Sequence, residues 1–518
     1  MNGDELALEC DRLIQRAMHR SLKEALILAR AFARRAEKNE SFKLTAYRVL
    51  ARVTHMSGRH REALAAYLNA RNLASADAMI RARIDRALID VYMYLGNFEQ
   101  AKNHAWLALR TFKAHKSESD LAQTRVNYGN MLHRQDKHRD AEKLYRRAAE
   151  FFEKTENKAA TARCYYNRAN TLVQLFNFPE AERLYQKALE INSEAGYSLE
   201  ATDARYGLAW LRMLEGKFHE ALLELNICEK AFHDGGDPRG EALCILDRAE
   251  VYLGLGLYYD AFQFARNALR LFSRLNLRYE YAKAALFKAE AASALGMKPQ
   301  AKKAMLIASS GFSRENNKGF LGVLHLLYAD SAGPDTVKRR YEIKMARNLF
   351  NRAQLPLWEA VCDLKMTADN KAASSAFIRL KKNPAARNVP HIYTAWQTSL
   401  GDQKYRQGYE NEAIGHWRLA AQRLDIVRAQ LPPLELRGAF TRRFSSPHRR
   451  LIEAEIRHRP GVAAVWLERE KTAGLWAPIA INDSNPLRRR VQESLTRLAA
   501  EITALSGQIG SRSGERNL

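Results

Sequence analysis

The sequence predicts an all-α fold, a right-handed α-solenoid of antiparallel helix pairs with a C-terminal helical module. The length of 518 residues fits a repeat array better than one compact core. Alanines recur with a 40-residue period, and a second small residue follows each of them after seven positions. These pairs are Ala101 and Ala108, Ala141 and Ala148, Ala181 and Ala188, Ala221 and Cys228, Ala261 and Ala268, and Ala301 and Ala308.

The spacing of the small residues indicates how each helix pair packs. Seven residues make two turns of an α-helix, so both small side chains lie on one face. They let two antiparallel helices approach closely, while bulkier residues fill the gap to the next pair. Gly96, Gly216, Gly256 and Gly296 mark the end of a preceding helix, because glycine tolerates the left-handed conformation found there. The unit is therefore a helix, a short turn and a second helix.

The repeats divide the chain into predicted regions. Residues 1–313 form a regular array, because earlier copies at Ala25 and Ala63 continue the pattern at a spacing of 38. Residues 314–430 hold degenerate helices and a final repeat that carries alanine at both small positions. These two regions are expected to form one continuous array.

The chain changes character after Pro432 and Pro433, which interrupt the preceding helix. Residues 431–510 are predicted to form the C-terminal helical module, and residues 511–518 a disordered tail. Apolar residues in this module alternate spacings of four and three, which fits one helix packing on another or a short coiled-coil dimer. They are Val491, Leu495, Leu498, Ile502 and Leu505.

The segments LVQLFNFPEAERLYQKALEI (172–191) and YLGLGLYYDAFQFARNALRL (252–271) resemble the tetratricopeptide repeat, or TPR. The 40-residue period is similar to the long-helix branch of this family, which includes the arrays that precede CHAT caspase-like domains. In that branch a Leu-Glu-x-x-Lys/Arg-x-x-x-Leu helix follows the array, and here Leu467, Glu468, Lys471 and Leu475 match it. The resemblance implies a protein-binding scaffold, possible regulation of a CHAT-type peptidase, and a peptidase domain absent from this chain.

The residues that carry chemistry in enzymes do not form recognisable motifs. Phosphate-binding glycine loops, nucleophile elbows and zinc-protease motifs are missing from the sequence. Histidine pairs spaced by five or ten positions, such as His133 and His138, do not share one helical face and are interpreted as solvated or turn residues. The cysteines fall inside helical repeats, outside any caspase-type context, and are interpreted as buried thiols: Cys10, Cys164, Cys228, Cys244 and Cys362. We therefore expect no enzyme activity, no cofactor and no metal.

The net charge of +25 raises nucleic acid as an alternative partner. The charge is spread along the chain, however, which favours solvated outer faces over a focused nucleic-acid site. The acidic N-terminus lacks the features of a signal peptide, and no apolar run is long enough to span a bilayer. An odd number of cysteines without a C-x-x-C pair fits a reducing compartment, so we predict a cytoplasmic protein without membrane contact.

The concave face of such an array is lined by the first helix of each pair. Two equivalent inward positions hold Asn127 and Asn130 in one repeat and Asn167 and Asn170 in the next. They resemble the asparagine pairs by which long-helix TPR proteins hold the backbone of an extended peptide. An asparagine amide offers both a donor and an acceptor, so it can bind a peptide unit without reading its side chain. Alternatively, these asparagines bond to one another between repeats and stiffen the array.

Further along the same face, the inward positions change character. Trp210 is a candidate anchor for an apolar ligand side chain, and Asp247, Glu250 and Glu290 make this part of the groove acidic. An acidic groove disfavours nucleic acid and suits a ligand with Lys or Arg. We therefore predict a non-enzymatic scaffold or sensor that captures a protein segment here and engages an effector through its C-terminal helices. The alternative is a regulatory subunit that binds nucleic acid through a basic outer surface.

We expect the purified protein to turn over neither protein, nucleotide nor nucleic-acid substrates, because the sequence offers no nucleophile, metal or phosphate-binding motif. Assays with casein, ATP and single-stranded RNA would test this. A turnover abolished by replacing a single cysteine or histidine would contradict it.

Overall fold

The computed structural model describes residues 9–15, 22–37, 40–333, 337–368, 373–431 and 446–472. Regular secondary structure within these ranges is entirely helical, which confirms the predicted all-α solenoid. The helices are α1 (9–15), α2 (Leu22–Ala36), α3 (Glu40–Met56), α4 (His60–Leu73), α5 (Ala78–Tyr94), α6 (Phe98–Ala114), α7 (Glu118–Arg134), α8 (His138–Lys154), α9 (Lys158–Gln174), α10 (Phe178–Glu194), α11 (Ser198–Leu214), α12 (Phe218–Asp234), α13 (Pro238–Leu255), α14 (Tyr258–Arg274), α15 (Arg278–Ala294), α16 (Lys298–Arg314), α17 (Lys318–Ser331), α18 (Val337–Ala353), α19 (Pro356–Met366), α20 (Ala373–Lys382), α21 (Pro384–Asn388), α22 (Pro390–Arg406), α23 (Glu410–Ala429), α24 (Ser446–Glu455) and α25 (Pro460–Thr472).

Each turn between α5 and α17 contains one residue with a positive φ, and these residues are evenly spaced along the chain. The following backbone N–H bonds the carbonyl five positions back, as from Asn97 to Tyr92 at 2.9 Å, which closes the helix end. Glycine occupies only half of these positions, including the four predicted from the sequence. The full set is Gly96, Lys116, Asp136, Glu156, Phe176, Gly196, Gly216, Gly236, Gly256, Asn276, Gly296 and Asn316. The left-handed turn residues therefore recur once per helix, whereas the alanine pattern recurs once per helix pair.

The alanines predicted from the 40-residue spacing lie in the core between paired helices. Ala181 and Ala188 of α10, for example, are fully buried, and so are the earlier copies Ala25 and Ala63. Four positions after the second small residue, the second helices other than α10, which has Asn192 there, carry a row of buried phenylalanines that fills the space toward the next pair. This row consists of Phe112, Phe152, Phe232, Phe272 and Phe312.

Successive turns of the superhelix touch one another, although their residues are far apart in the chain. At the end of α7, Arg134 pairs with Glu315 at 2.8 Å and lies over the rings of Tyr94 and Tyr279. In the turn that follows α7, Asp136 accepts a hydrogen bond from the backbone N–H of Gly319 at 3.0 Å. These contacts join the end of α7 and the turn after it to α15, α17 and the turn between α16 and α17, and we call the concave face bounded by them the channel.

The C-terminal repeats pack against the middle of the array in the same way. An ideal Cβ at Gly216, between α11 and α12, would lie 3.4 Å from Val427 and 3.5 Å from Pro390. One apolar cluster joins Leu172 and Leu184 of the middle repeats to Ile392 of α22. Helices α22 and α23 thus belong to the same packed body as α9 to α12.

The 40-residue register continues into α17, which starts at Lys318 as α15 starts at Arg278, and is lost after Ser331. Helices α19 to α21 are shorter, and the pair α22 and α23 restores buried alanines at Ala413 and Ala420. The division of the chain into regions at residues 313, 430 and 510 stays a prediction. Pro432, Pro433, the coiled-coil positions 491–505 and the tail 511–518 lie outside the described residues.

Glycine at position 207 leaves space for a neighbouring ring. A Cβ at Gly207 in α11 would lie 2.2 Å from the ring of Tyr185, which is fully buried. We expect Gly207→Ala to lower the free energy of unfolding by about 1–3 kcal/mol, because the ring has no room to move. Gly415→Ala in α23 is the matched control, since a Cβ there meets no atom within 4 Å. It should raise stability by about 0.5–1 kcal/mol through helix propensity. Urea unfolding would measure both, and equal effects would contradict the packing argument.

Candidate peptide-binding groove

The four predicted asparagines lie on α7 and α9, the first helices of two consecutive helix pairs, where the 40-residue shift places them side by side. The Nδ2 group of Asn127 donates to Asp90 Oδ2 of α5 at 2.8 Å. The Nδ2 group of Asn167 donates to Asn130 Oδ1 at 3.3 Å, also between neighbouring repeats. The interrepeat bonds that the sequence left open are therefore present.

Two buried tyrosines of the second helices hold the other pair of asparagines. The hydroxyl of Tyr145 donates to Asn130 Oδ1 at 2.8 Å, and that of Tyr185 donates to Asn170 Oδ1 at 2.5 Å. Gly129 makes room for the first tyrosine, because a Cβ there would lie 2.7 Å from the ring. Sequence reasoning missed these tyrosines, although each stands 15 positions after its asparagine in both repeats.

These bonds use only half of most of the amides. Within the described part of the chain, the Nδ2 group of Asn130 has no acceptor, and the Oδ1 atoms of Asn127 and Asn167 have no donor. One donor and two acceptors thus stay available on the concave face. An extended peptide backbone presents the complementary groups, a carbonyl and N–H groups in alternation.

Two of the acidic residues farther along the channel, Asp247 and Glu250, share one cation. Lys283 Nζ lies 3.4 Å from Asp247 Oδ1 and 3.5 Å from Glu250 Oε2. Asp247 also accepts a hydrogen bond from the Tyr206 hydroxyl. Burial raises the pKa of Glu250 to about 7, opposed by Lys283 and reinforced by Asp247 and Glu290. Sequence reasoning missed Lys283 because it stands at a different helical position from the acids.

Trp210 is half-buried and already has apolar neighbours. It packs against two clusters, one that includes Ile392 of α22 and one that includes Leu424 of α23. Only part of its ring is exposed, so only that part is accessible for contact with a ligand. Its position links the groove to the C-terminal repeats, which the sequence did not indicate.

The histidine pairs at the turns meet, although their sequence spacing of five appeared to separate them. The Nδ1 atoms of His55 and His60 lie 3.2 Å apart, and those of His133 and His138 lie 3.1 Å apart. The chain reverses between the two members of each pair, which the single-helix argument did not consider. They are turn residues as predicted, but they are partly withdrawn from solvent: burial lowers the pKa of His55, His60 and His133 to about 4.

The buried thiols of the helices are weak acids, because burial disfavours the thiolate. Cys164, Cys228, Cys244 and Cys362 are fully buried, and burial raises the pKa of Cys164 and Cys228 to about 12. No group of three or more potential metal ligands occurs among the residues that the structure describes. Likewise, no described helix is long and apolar enough to cross a bilayer.

The basic run formed by Arg449 and Arg450, which could contact phosphates, is partly neutralised by ion pairs. Arg449 lies 3.3 Å from Glu470, and Arg450 lies 3.0 Å from Asp402. The runs at 442–443 and 488–490 lie outside the described residues.

The tetratricopeptide repeat family model matches residues 80–154 and 120–194. A Rap protein complexed with competence and sporulation factor is 12% identical, with 76% of this chain and 100% of that chain covered and a TM-score of 0.49. Aspartyl phosphate phosphatase F from Bacillus subtilis is 11% identical, with 74% and 93% covered and a TM-score of 0.41. Yeast Tom70 is 14% identical, with 90% and 99% covered and a TM-score of 0.34.

No curated protein matches the sequence. The family match covers α5 to α10, which include the asparagine ladder of α7 and α9. This protein therefore contains tetratricopeptide repeats, arranged as an all-α solenoid of helix pairs.

Proposed function

We propose that the protein is a non-enzymatic scaffold or sensor that binds an extended protein segment in its concave channel. The observation that carries this proposal is the row of half-used amides of Asn127, Asn130 and Asn167 on two adjacent helices. A backbone-binding role needs donors and acceptors held in fixed positions, and the tyrosine and interrepeat bonds hold them. Asn170 completes the ladder, with its oxygen taken by Tyr185.

The chemistry of the segment follows from the neighbouring residues. Asp247, Glu250 and Glu290 favour a Lys or Arg side chain, and the exposed part of Trp210 favours an apolar one. The nucleic-acid alternative stays a prediction from net charge. A cytoplasmic location and the absence of enzyme activity stay predictions as well.

We further propose that the C-terminal helices engage an effector, for which the sequence resemblance implies a CHAT-type peptidase. Leu467 of α25 is exposed, as a contact residue must be, and Leu475 of the same motif lies outside the described residues. A change in the cleavage rate of a purified CHAT-type peptidase on addition of this protein would support this role.

Replacing Asn130 by Asp tests the ladder, because the carboxylate keeps the acceptor that Tyr145 needs and removes the free donor. Peptides would first be selected against the wild-type protein from a random library of extended sequences. We expect Asn130→Asp to weaken their binding about tenfold, equivalent to about 1.4 kcal/mol, through loss of a hydrogen bond to a peptide carbonyl and repulsion from it. Fluorescence anisotropy would measure the affinity.

Asn103→Asp is the matched control, since it adds the same charge on an exposed position of α6 outside the channel. It should leave affinity unchanged, and both variants should melt like the wild type. If Asn130→Asp lowers the melting temperature but not the affinity, the asparagines act only as staples between repeats.

The acidic end of the channel predicts a pH dependence. Asp203 lies on α11, the first helix of the repeat before α13, and burial raises its pKa to about 7, as it does for Glu250. Binding of a Lys-containing peptide should therefore tighten as pH rises toward about 7 and level off above it, because the carboxyls must be ionised. At and below about pH 7, binding should release protons. In the free protein the sign is opposite: between about pH 4 and 7 the folded state binds more protons than the unfolded state, so stability falls as pH rises. Calorimetric titration in buffers of different ionisation enthalpy would measure the affinity and the proton release, and thermal unfolding at several pH values would measure the stability. The double variant Asp203→Asn, Glu250→Gln should flatten the pH dependence of each.

A further inference from the structure

The second helices of the repeats, which lie on the outer side of the array, differ in charge from one another. Helix α12 carries four carboxylates and one lysine, whereas α14 and α16 together carry seven cations and one carboxylate. Burial and the charge of that carboxylate, Asp260, raise the pKa of Tyr252 in α13, so Asp260 lies toward α13. The seven cations are Arg266, Arg270, Arg274, Lys298, Lys302, Lys303 and Arg314. The outer surface is therefore strongly basic at these two helices.

Three of these cations gather around a fourth, Lys288 of α15, which packs against both α14 and α16. We call Arg266, Arg270, Lys288 and Lys303 the basic cluster. Burial, with the like charges of Lys303, Arg266 and Arg270, lowers the pKa of Lys288. Salt screens charges that are far apart, so this effect places the four side chains close together. In the part of the chain that the structure describes, none of the four forms an ion pair.

The internal repeats show that an acid is missing beside Lys303. Arg183 occupies the same position of the repeat in α10, and its Nη2 atom lies 2.6 Å from Glu180 Oε1, one helical turn earlier. In α16 the corresponding residue is Gln300, which carries no charge. The cation of this position is therefore neutralised in α10 but not in α16.

Lys288 has lost its acid in the same way. Arg168 occupies the equivalent position of α9, and its Nε atom lies 2.9 Å from Glu142 Oε1 of α8. The residue that corresponds to Glu142 is Phe262 of α14, and Lys288 Nζ lies 5.4 Å from the centroid of its ring. An aromatic face attracts a cation but does not neutralise it. Anionic groups of a partner would therefore be bound favourably at the basic cluster.

An open groove begins one helical turn beyond the basic cluster. It is lined by α14, α15 and α16 and has a volume of about 510 Å³. Two exposed cations, Arg278 and Arg314, line its other end. Its apolar lining consists of Phe272, Leu277, Tyr281, Leu306 and Ile307. The groove thus offers an apolar surface between two groups of cations.

The apolar lining favours a protein segment over a nucleic acid. Single-stranded nucleic acids bind by stacking their bases on exposed aromatic faces. Of the two rings in the lining, Phe272 has no exposed surface and Tyr281 is only partly exposed. Leu306, in contrast, is aliphatic and 62% exposed. An aliphatic surface between cations suits an apolar side chain that stands between carboxylates.

We infer that the groove and the basic cluster form a second interaction surface, on the outside of the array, for an acidic protein segment with apolar side chains between its carboxylates. Carboxylates lie against Arg266, Arg270 and Lys303 at one end and against the cations of the other end, while the apolar side chains lie on Leu306. The rise from Lys303 to Arg314 along α16 is about 16 Å, which about five residues of extended chain cover. The surface is separate from the channel, so it goes beyond the proposed function and does not depend on it.

The test uses a synthetic peptide of about eight residues with glutamates at both ends and two leucines in the centre. One companion peptide carries glutamine in place of every glutamate, and another carries serine in place of both leucines. An oligouridylate of about ten nucleotides represents nucleic acid. Fluorescence anisotropy with labelled probes would measure all affinities at one salt concentration.

A triple variant removes charge from the basic cluster: Arg266→Gln, Arg270→Gln and Lys303→Gln. Its matched control removes the same charge from exposed positions of α8: Arg139→Gln, Arg146→Gln and Arg147→Gln. We expect the cluster variant to weaken binding of the glutamate peptide about tenfold and to leave the glutamine peptide unaffected, because two or three surface ion pairs are lost. The control should leave both affinities unchanged. Because the replaced cluster residues are exposed and unpaired among the described residues, the variant should fold, which circular dichroism would verify.

Leu306→Ala tests the groove itself. It should weaken binding of the glutamate peptide about threefold, through loss of apolar contact, and leave the serine peptide unaffected. Leu223→Ala in α12 is the matched control, since that leucine is also exposed, at 49%. It should change neither affinity.

Three results would overturn the inference. Equal losses in the cluster variant and its α8 control would mean that the peptide responds only to net charge. An oligouridylate that binds more tightly than the glutamate peptide, and loses affinity in the cluster variant, would assign the surface to nucleic acid. Loss of glutamate-peptide binding in Asn130→Asp would place that peptide in the channel.

Discussion

The close approach of paired helices at buried alanines is the constraint on which the rest of this structure depends. Ala181 and Ala188 have no exposed surface, and their counterparts in the other repeats are nearly the same. A larger side chain at these positions would separate the two helices and change the angle to the next pair. Because each repeat packs on its neighbours, a small error in this angle would accumulate along the array. The buried phenylalanines and the regularly spaced left-handed residues of the turns keep the geometry constant.

Constant geometry is what allows distant parts of the chain to meet. The ion pair between Arg134 and Glu315 joins residues that are 181 positions apart, and Arg134 is also enclosed by two tyrosine rings. Such contacts close the concave face into a channel, where carboxyl groups lose much of their hydration. This desolvation is the main reason that the pKa values of Asp90, Asp203 and Glu250 rise to about 7. The charge of the channel is therefore adjustable near neutral pH.

Under the proposed function, the asparagine ladder combines two roles that the sequence presented as alternatives. The Nδ2 group of Asn167 stiffens the array by bonding Asn130, while its own Oδ1 atom stays available. Fixing one half of an amide orients the other half, so the interrepeat bonds preorganise the surface on which we propose that a segment binds. Stiffening and binding thus need not compete for the same atoms. The tyrosines behind the ladder serve the same purpose from the second helices.

The sequence by itself determined the helix pair, its 40-residue rhythm and the face on which the asparagines lie, because these depend on local features that repeat: small residues, turn glycines and helical periodicity. It also indicated the acidic positions 247, 250 and 290 on that face. Only the tertiary structure decided which half of each amide is free, that Lys283 lies between two of the acids, and that the histidines meet across a turn. The contact between Arg134 and Glu315 belongs to the same group. These arrangements depend on side-chain rotamers and on the rotation from one pair to the next, summed over about five pairs, and no local pattern in the sequence encodes that sum.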